Sequence, residues 1–342
     1  MMPLFVSHRE AVAEQSGVGG ARRAFSTLVK SLGASDAQVG KVALLTTELA
    51  QNLERHAERG ELIARGEVTP EGIWLEVLSV DRGPGIGTPL HALEDGYSTA
   101  GTRGSGLGAV MRLAQDFDLH TLAGEGTVLC ARMWLGSGPP PPRVPAIGAI
   151  CLPHPEEEVS GDGYEILRDA AGRTHILVVD GLGHGQPAAD ATRVALEIFR
   201  HHVHLEPGDL FRTLHEELRA TRGAAIGLST LDPTLGKLFF TGVGNIAGTL
   251  WPGLQPDRAR GLASHNGTAG YLMPRVQTLA YPWDPDSLLV LQSDGLTSRW
   301  NLDAYPGLAF RDPGVIAGVL YRDHCRGRDD VTVIAVKSGG GV

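Results

Sequence analysis

The sequence has little cysteine, and its cysteines are far apart. The 342 residues include three, Cys130, Cys151 and Cys325, which is an odd number at wide spacing. A disulfide framework needs paired cysteines and a zinc site needs closely spaced ligands, so this pattern argues against both. It favours a reducing compartment.

Long apolar runs and clusters of basic residues are also missing. No segment of about 18 apolar residues is present, which argues against a membrane-spanning helix. The first ten residues, MMPLFVSHRE, lack the basic region and following apolar region of a signal peptide. The formal net charge is −9 without a Lys/Arg block, which argues against nucleic acid as a partner. We therefore expect a cytoplasmic protein that binds neither membranes nor nucleic acids.

Glycine and proline, in contrast, are plentiful, at 46 and 21 residues. Four consecutive prolines, Pro139–Pro142, cannot join a helix or a central strand and favour a stiff, extended spacer. A chain of this length is expected to form two domains. We therefore predict a first domain over residues 1–135, a Pro-rich linker over 136–145 and a second domain over 146–342.

The apolar pattern of the first domain predicts helices and a sheet. Val42, Leu45, Leu49 and Leu53 form an apolar stripe at helical spacing. The predicted elements are a strand near Leu4–Ser7, helices over Glu10–Leu32 and Ala37–Arg59, a hairpin of Leu62–Val68 and Ile73–Val80, a helix over Leu107–Asp116, and strands near Phe117–Leu122 and Thr127–Leu135.

The second domain is richer in strands. Helices are predicted near Pro187–His202, Asp209–Thr221 and Pro313–Asp323. Strands are predicted near Ala146–Leu152, Tyr164–Arg168, His175–Val179, Ala225–Leu231, Lys237–Val243, Ala247–Trp251, Leu288–Gln292 and Val331–Lys337. Strands, two consecutive helices and strands again indicate an α+β sandwich with its helices outside.

Three elements of the first domain follow one another in an order suited to nucleotide binding. Glu48 and Asn52 are four positions apart on one helix, so they project from one face, although as a pair they fit a solvated polar face better than a metal site. Asp81 opens the loop DRGPGIG, and its carboxylate can accept a hydrogen bond from an exocyclic amine such as that of adenine. The loop from Gly101 to Gly108 then runs into a helix, whose N-terminal amides form a cradle for phosphates.

This order resembles the GHKL ATPase and kinase family over nearly all of residues 1–135. The segment DGYSTAGTRGSGLGAVMRLAQDFDL is similar to the small serine kinases that regulate bacterial sigma factors, especially the switch kinase of stressosome pathways. The resemblance implies that Glu48 is the general base or its equivalent, that Asn52 binds Mg²⁺ and that Asp81 holds the adenine of ATP. It also implies that five glycines shape the nucleotide loops: Gly83, Gly85, Gly104, Gly106 and Gly108.

Acidic residues of the second domain recur at the predicted ends of strands. In THILVVDGLGHG a buried strand ends in Asp180 and a glycine-rich turn, which can present an oxygen ligand to a hard cation, although this stretch alone fits an ordinary turn equally well. Asp162, Asp294 and the pair Asp329–Asp330 repeat the pattern. Clustered carboxylates raise one another's pKa unless cations lie between them. Two divalent metals resolve this and can activate water for attack on a phosphate.

The pattern GD…VVDGLGHG…SDG…DDVTV resembles the metal-dependent Ser/Thr phosphatases of the protein phosphatase 2C type, in particular the bacterial sporulation-stage-II and stress-response branch, over roughly residues 146–338. The resemblance implies that Asp162, Asp180 and Asp294 are catalytic metal ligands. The Gly181 carbonyl would be a further ligand, and Asp329 would complete the second metal site.

This sequence departs from that family at several points. The second acidic residue near the first motif is Glu165, and the usual Asp-Asn pair before the last strand is Asp329-Asp330, so either of the two could ligate. His184 could shape the metal loop, and the HNGTAG turn at 265–270 could border the site. No arginine matches the phosphate-binding one of the larger eukaryotic enzymes.

Together the two resemblances imply an α+β chain, in which a GHKL α/β sandwich precedes a protein phosphatase 2C-like α-β-β-α sandwich. The leading hypothesis is a bifunctional regulator. An ATP- and Mg²⁺-dependent Ser/Thr kinase domain and a phosphatase with two Mn²⁺ or Mg²⁺ ions would act on a STAS-type anti-sigma antagonist or a stressosome protein, with a sigma or anti-sigma factor as a further partner. In the alternative, only the phosphatase is catalytic and the first domain is an ATP-ordered protein-binding module.

Overall fold

The computed structural model describes residues 7–87, 106–254, 259–273 and 275–339. These residues form three five-stranded antiparallel sheets and six α-helices. The layers are, in order, a group of helices, the first sheet, a single helix, two further sheets that face each other, and a second group of helices. No helix among the described residues combines the length and apolarity needed to cross a membrane.

The first domain is one sheet with three helices on one face. The strand order is β1-β2-β3-β5-β4. The helices are α1 (Gln15–Ser31), α2 (Asp36–His56) and α3 (Gly106–Leu113), and the strands are β1 (His8–Val12), β2 (Gly60–Thr69), β3 (Gly72–Val80), β4 (Asp116–Leu122) and β5 (Gly126–Gly136).

Helix α2 carries Glu48 and Asn52 of the nucleotide motif, and a capping box fixes its N-terminus. Ser35 and Gln38 form a capping box, in which each side chain accepts a hydrogen bond from the other residue's backbone amide. The predicted stripe Val42, Leu45 and Leu49 is buried against the sheet, which leaves the opposite flank of the helix for polar side chains.

The N-terminal end of the first domain differs from expectation. The helix predicted to begin at Glu10 begins at Gln15, and Glu10–Val12 instead belong to β1, which pairs with β2. The gain from pairing this short edge strand, with Val12 buried, exceeds the local helical preference. The strand predicted near Leu4–Ser7 lies outside the described residues except for Ser7.

The second domain is a sandwich of two sheets, with strand orders β13-β10-β9-β8-β7 and β12-β11-β14-β15-β6. Its helices are α4 (Gln186–His202), α5 (Pro207–Leu218) and α6 (Pro313–His324). Its strands are β6 (Ala146–Leu152), β7 (Asp162–Arg168), β8 (Thr174–Gly181), β9 (Ala224–Asp232), β10 (Lys237–Val243), β11 (Ala247–Trp251), β12 (Arg260–Leu262), β13 (Leu279–Pro282), β14 (Leu288–Gln292) and β15 (Val331–Lys337).

These elements confirm the α+β sandwich and its predicted helices within a few residues. The two strands that the pattern did not predict, β12 and β13, have three and four residues and lie at sheet edges. Such short edge strands carry too few residues for an alternating pattern.

Helix α6 packs against both domains. Its buried side chains Val315, Ile316 and Val319 share one hydrophobic cluster with Leu78 of β3 and Val128 of β5. A Cβ on Gly318 would stand 2.6 Å from Val128 Cγ1, so the absent side chain allows the helix to lie close to the first sheet. The stiff spacer expected at 136–145 therefore does not hold the domains apart, because one core is continuous across it.

Candidate functional site

Four of the predicted acidic positions meet at one end of the second domain. Strands β7 and β8 pair so that Asp162 lies directly opposite Asp180. Asp294 follows β14, and Asp329 precedes β15, which is hydrogen-bonded to β14. The antiparallel sandwich therefore gathers residues from four distant points of the sequence.

The electrostatics of this cluster are unfavourable without a counter-charge. Burial, and then the charge of Asp180, raise the pKa of Asp162 well above its usual range. Burial, followed by the charges of Asp294 and Asp329, raises the pKa of Asp180 to about 7. Carboxylates in this state take up either protons or cations.

Neighbouring side chains orient these carboxylates. The Ser293 hydroxyl donates to Asp162 Oδ2 at 2.5 Å, and the Asn245 amide donates to Asp294 Oδ2 at 2.8 Å. Within the described segments, no three His, Cys, Asp or Glu side chains are arranged so as to share one ion. The donor set nevertheless suits Mg²⁺ or Mn²⁺, because it consists of oxygen atoms.

The pair Asp329–Asp330 divides into two environments. Asp330 is 3% exposed, and its Oδ1 accepts a hydrogen bond from the His154 amide at 2.8 Å. Its Oδ2 is buried and has no hydrogen bond of ordinary geometry among the described residues. Asp329 is half-buried and raises the pKa of Asp180 more than Asp330 does.

The loop after Asp180 depends on glycine. A Cβ on Gly181 would stand 2.3 Å from the Ala188 carbonyl oxygen, and Gly183 has φ +88°. His184 is directed to other partners: its Nδ1 contacts Glu157 at 2.8 Å, and its ring stacks on His154. The glycines therefore let the backbone turn tightly beside the acidic cluster.

Glu165, the expected second acidic residue of the first motif, has a structural partner instead. It is 4% exposed and forms an ion pair of 2.6 Å with Arg200 of α4. The HNGTAG turn does border the loop, since Ala269 pairs with Ala224, and Ala224 pairs with Gly181.

The nucleotide motif of the first domain lies where α2 approaches the end of β3. Asp81 follows β3, and its Oδ1 accepts hydrogen bonds from the amides of Gly83 at 2.7 Å and Thr127 at 3.3 Å. Burial raises the pKa of Asp81 despite these bonds. Among the described residues no hydrogen bond involves Oδ2, so that oxygen is available to a ligand.

On α2, Glu48 and Asn52 are both half-buried. Asn52 Nδ2 is buried and has no hydrogen-bond partner among the described residues. A buried amide in this state fits a ligand that supplies the missing contact. The oxygen atom of the same amide is a suitable ligand for Mg²⁺.

The glycines of the nucleotide loops are only partly described. A Cβ on Gly85 would stand 2.4 Å from the Leu122 carbonyl oxygen, and one on Gly83 would stand 2.9 Å from that of His56. Gly106 and Gly108 lie in the first turn of α3, which packs on α2. Gly104 lies outside the described residues.

Sequence reasoning missed the contacts that link the nucleotide loop to the second domain. Arg82, next to Asp81, forms an ion pair of 3.2 Å with Asp323 at the end of α6 and donates to the Arg322 carbonyl. Arg322 Nη1 approaches the Asp81 carbonyl oxygen at 3.5 Å. Contacts between residues 240 or 241 positions apart leave no mark in local spacing. Asn245 and Ser293 were missed because their partners also lie far away, 49 and 131 positions along the chain.

Comparison with known proteins separates the same two parts. Residues 11–133 match the histidine kinase-like ATPase domain family, and residues 170–338 match the stage II sporulation protein E (SpoIIE) family. The serine/threonine-protein kinase RsbT of Bacillus subtilis (strain 168) is 36% identical over 116 residues, which cover 34% of this chain and 86% of that kinase.

Solved structures resemble the chain as well. One is a structure from work on the bacterial stressosome, which is described as a modular system adapted to control secondary messenger signalling. Its TM-score is 0.52 at 25% identity, and the match covers 56% of this chain and 98% of that structure's chain. The PP2C phosphatase domain with a fragment of the regulatory domain of SpoIIE from Bacillus subtilis has a TM-score of 0.47 at 16% identity and covers 94% of this chain and 92% of its own.

Proposed function

We propose that this chain, which belongs to the histidine kinase-like ATPase family through residues 11–133 and to the SpoIIE family through residues 170–338, is a signalling regulator. In this proposal the regulator is bifunctional. The first domain transfers the γ-phosphate of ATP to a serine or threonine of a partner protein. The second domain hydrolyses phosphoserine or phosphothreonine with divalent cations. The two families imply ATP and divalent-metal binding; the choice of Mg²⁺ for the kinase and two Mn²⁺ or Mg²⁺ ions for the phosphatase is part of the proposal.

The carboxylate cluster is the single observation that carries the phosphatase activity. Asp162, Asp180 and Asp294 lie together, and burial, followed by the charges of Asp294 and Asp329, raises the pKa of Asp180 to about 7. In this proposal those three residues, the Gly181 carbonyl and Asp329 hold the cations. When bound, the cations supply positive charge to the phosphate and lower the pKa of water.

Asp329 is the ligand of its pair in this proposal, and Asp330 is a positioning residue. The larger electrostatic effect on Asp180 comes from Asp329. Asp330 is tied by Oδ1 to the amide of His154. Ser293 and Asn245 hold the carboxylates of Asp162 and Asp294 in fixed orientations, which reduces the reorganisation needed when a cation binds.

The kinase activity depends on the residues around α2. Asp81 accepts a hydrogen bond from the adenine amine through Oδ2, Asn52 holds Mg²⁺ and Glu48 acts as general base. The buried, unpartnered amide nitrogen of Asn52 supports a ligand at this position. The glycine loops at 83–85 and 104–108 supply backbone amides to the phosphates.

The partner proteins are proposed from the relatives. The similarity to the serine/threonine-protein kinase RsbT and to a structure from work on the bacterial stressosome supports a partner from stressosome signalling. We therefore choose a STAS-type antagonist or stressosome protein as the phospho-substrate, with an anti-sigma or sigma factor as a further partner, all in the cytoplasm.

One observation favours a second candidate function. The nucleotide loop is attached to the phosphatase domain through the Arg82–Asp323 ion pair and the Arg322–Asp81 contact. A first domain that binds ATP and partners without transferring phosphate could use this attachment to order the phosphatase. In that case only the second domain is catalytic.

Phosphorylation of a purified STAS partner by the full-length chain, with ATP, Mg²⁺ and Mn²⁺, distinguishes these proposals. Wild type is compared with Asp180→Asn and Glu48→Gln, and the exposed positions Asp209→Asn and Glu54→Gln serve as matched controls. We expect phosphate to accumulate on the partner with Asp180→Asn but not with Glu48→Gln. If no variant phosphorylates the partner while wild type dephosphorylates a phospho-partner, the binding-module proposal replaces the kinase.

A further inference from the structure

Arg222 is an exposed cation at the acidic end of the second domain. It lies in the turn between α5 and β9, directly before Gly223. The Gly223 carbonyl accepts a hydrogen bond of 3.0 Å from the amide of Leu182, and the next residue, Ala224, pairs with Gly181. The turn that carries Arg222 is therefore joined through backbone hydrogen bonds to the loop that follows Asp180.

The guanidinium group lies against that loop. Arg222 Nη1 is 3.0 Å from the point where a Cβ on Gly183 would stand. Because Gly183 has no side chain, the cation reaches the backbone two residues beyond Gly181. Among the described residues, neither a hydrogen bond nor an ion pair involves the Arg222 side chain, so none of those residues neutralises its charge.

The histidine of this loop, in contrast, is engaged by neighbouring side chains. His184 contacts the carboxylate of Glu157 at 2.8 Å and stacks on His154. Arg222 differs because, among the described residues, its guanidinium group contacts no carboxylate. It also presents a planar set of N–H donors that matches the oxygens of a phosphate.

The chemistry of this end of the sandwich is thus asymmetric. Asp162, Asp180 and Asp294 provide negative charge on one side, and Arg222 provides an uncommitted positive charge on the adjacent loop. A group that carries two negative charges and several acceptor oxygens complements both, through cations on the carboxylate side and directly on the arginine side.

We propose that Arg222 binds the phosphate group of the phosphoserine or phosphothreonine substrate. This inference rests on the phosphatase activity proposed above and names the side chain that would hold the substrate's phosphate directly. Arg222 is a substrate-binding residue in this proposal; it does not ligate a cation.

Binding of inorganic phosphate and turnover of a phosphoserine peptide test the proposal on the full chain at saturating Mn²⁺. The variants are Arg222→Ala and Arg222→Lys. Arg219→Ala is the matched control, because Arg219 is an exposed arginine three residues earlier whose side chain contacts His215 instead of the loop. Calorimetry gives the phosphate affinity and, separately, the Mn²⁺ affinity.

We expect Arg222→Ala to weaken phosphate binding and raise the KM for the peptide by about 10- to 100-fold, the range for a charged hydrogen-bonded pair. Arg222→Lys should recover part of this loss, and Arg219→Ala should match wild type. The Mn²⁺ affinity should be unchanged in all three.

Two results overturn the proposal. One is an Arg222→Ala variant that binds phosphate as tightly as Arg219→Ala does. The other is a loss of Mn²⁺ affinity equal to the loss of phosphate affinity, which makes Arg222 a support of the loop. A wild type that binds phosphate through Arg222 but hydrolyses no phosphopeptide contradicts the proposed phosphatase function, while it still assigns phosphate binding to Arg222.

Discussion

Arg132 and Asp312 are 180 positions apart and form a two-point ion pair, with Nη1–Oδ2 and Nη2–Oδ1 distances of 2.5 and 2.6 Å. Arg132 belongs to β5 of the first domain and is 2% exposed. Asp312 is the N-cap of α6, where its Oδ1 also accepts a hydrogen bond from the Gly314 amide. Glu76 on β3 contacts the same guanidinium at 2.6 Å. The shared helix is therefore anchored at its start by buried charge.

Arg132→Met should destabilise the chain by about 3–5 kcal/mol, because it leaves the half-buried Asp312 without its arginine and the buried Glu76 with only the Arg65 contact at 3.4 Å. Urea denaturation followed by circular dichroism measures this change. Arg193→Met is the control, since Arg193 is 66% exposed in its ion pairs, and such pairs contribute at most about 1 kcal/mol. Equal effects of the two substitutions would contradict the assignment of a structural role to the buried pair.

The same ion pair predicts an acid dependence of stability. Burial alone would raise the pKa of Asp312, but the charge of Arg132 and the hydrogen bonds outweigh it and lower the pKa. A carboxyl whose folded-state pKa lies below its unfolded value stabilises the fold above the unfolded pKa of about 4, and this contribution is lost as the pH falls through the folded pKa. The difference in unfolding free energy between wild type and Asp312→Asn should therefore shrink between about pH 5 and pH 2. A constant difference over that range would show that the charge of Asp312 does not stabilise the fold.

Gly318→Leu should lower the stability of both domains together. The added side chain would meet Val128 of β5, and overpacking of this kind costs about 1–3 kcal/mol. Gly208→Leu is the matched control, because nothing lies within 4 Å of its Cβ position.

The tryptophans report the two domains separately in that experiment. Trp74 and Trp134 form a pair in the first sheet, and Trp251 and Trp300 form another in the second domain. With single-Trp-pair versions of the chain, both pairs should report one common, shifted unfolding transition. Two separate transitions, with only one of them shifted by Gly318→Leu, would show that the continuous core does not couple the domains.

Asp81→Asn should remove the stabilisation of the chain by ATP and Mg²⁺. Because Oδ1 accepts the Gly83 and Thr127 amides, an asparagine places its NH2 group where Oδ2 was, and that group cannot accept a hydrogen bond from the adenine amine. Differential scanning fluorimetry with increasing ATP should raise the unfolding temperature of wild type and of the exposed control Glu54→Gln. An equal rise in Asp81→Asn would contradict the assignment of Asp81 to the nucleotide.

Several of these features could be predicted from the sequence because they are local. The strand–Asp–Gly pattern at Asp180 marks both the strand end and the turn, and the 18-residue separation from Asp162 suits an antiparallel pair, which the structure shows. The stripe along α2 predicts its buried face, and the alternation in β3 predicts its strand.

Other features could not be predicted, because they depend on contacts between distant residues. Helix α6 is apolar on every side, and such a pattern indicates burial without naming what covers the helix. Arg132 is the one charged residue of its strand, and no spacing pairs it with Asp312. Sequence position alone does not show that Glu165, which departs from the family pattern near the first motif, faces Arg200.

The position of α6 in the chain also bears on synthesis by the ribosome. The last strand of the first sheet ends at Gly136, whereas the helix that covers this sheet begins at Pro313, about 180 residues later. At translation rates of roughly 5–20 residues per second, the nascent first domain waits about 10 to 35 seconds for that helix. During this interval Leu78 and Val128 are exposed to solvent or to a chaperone, and any pause in translation before residue 313 prolongs their exposure.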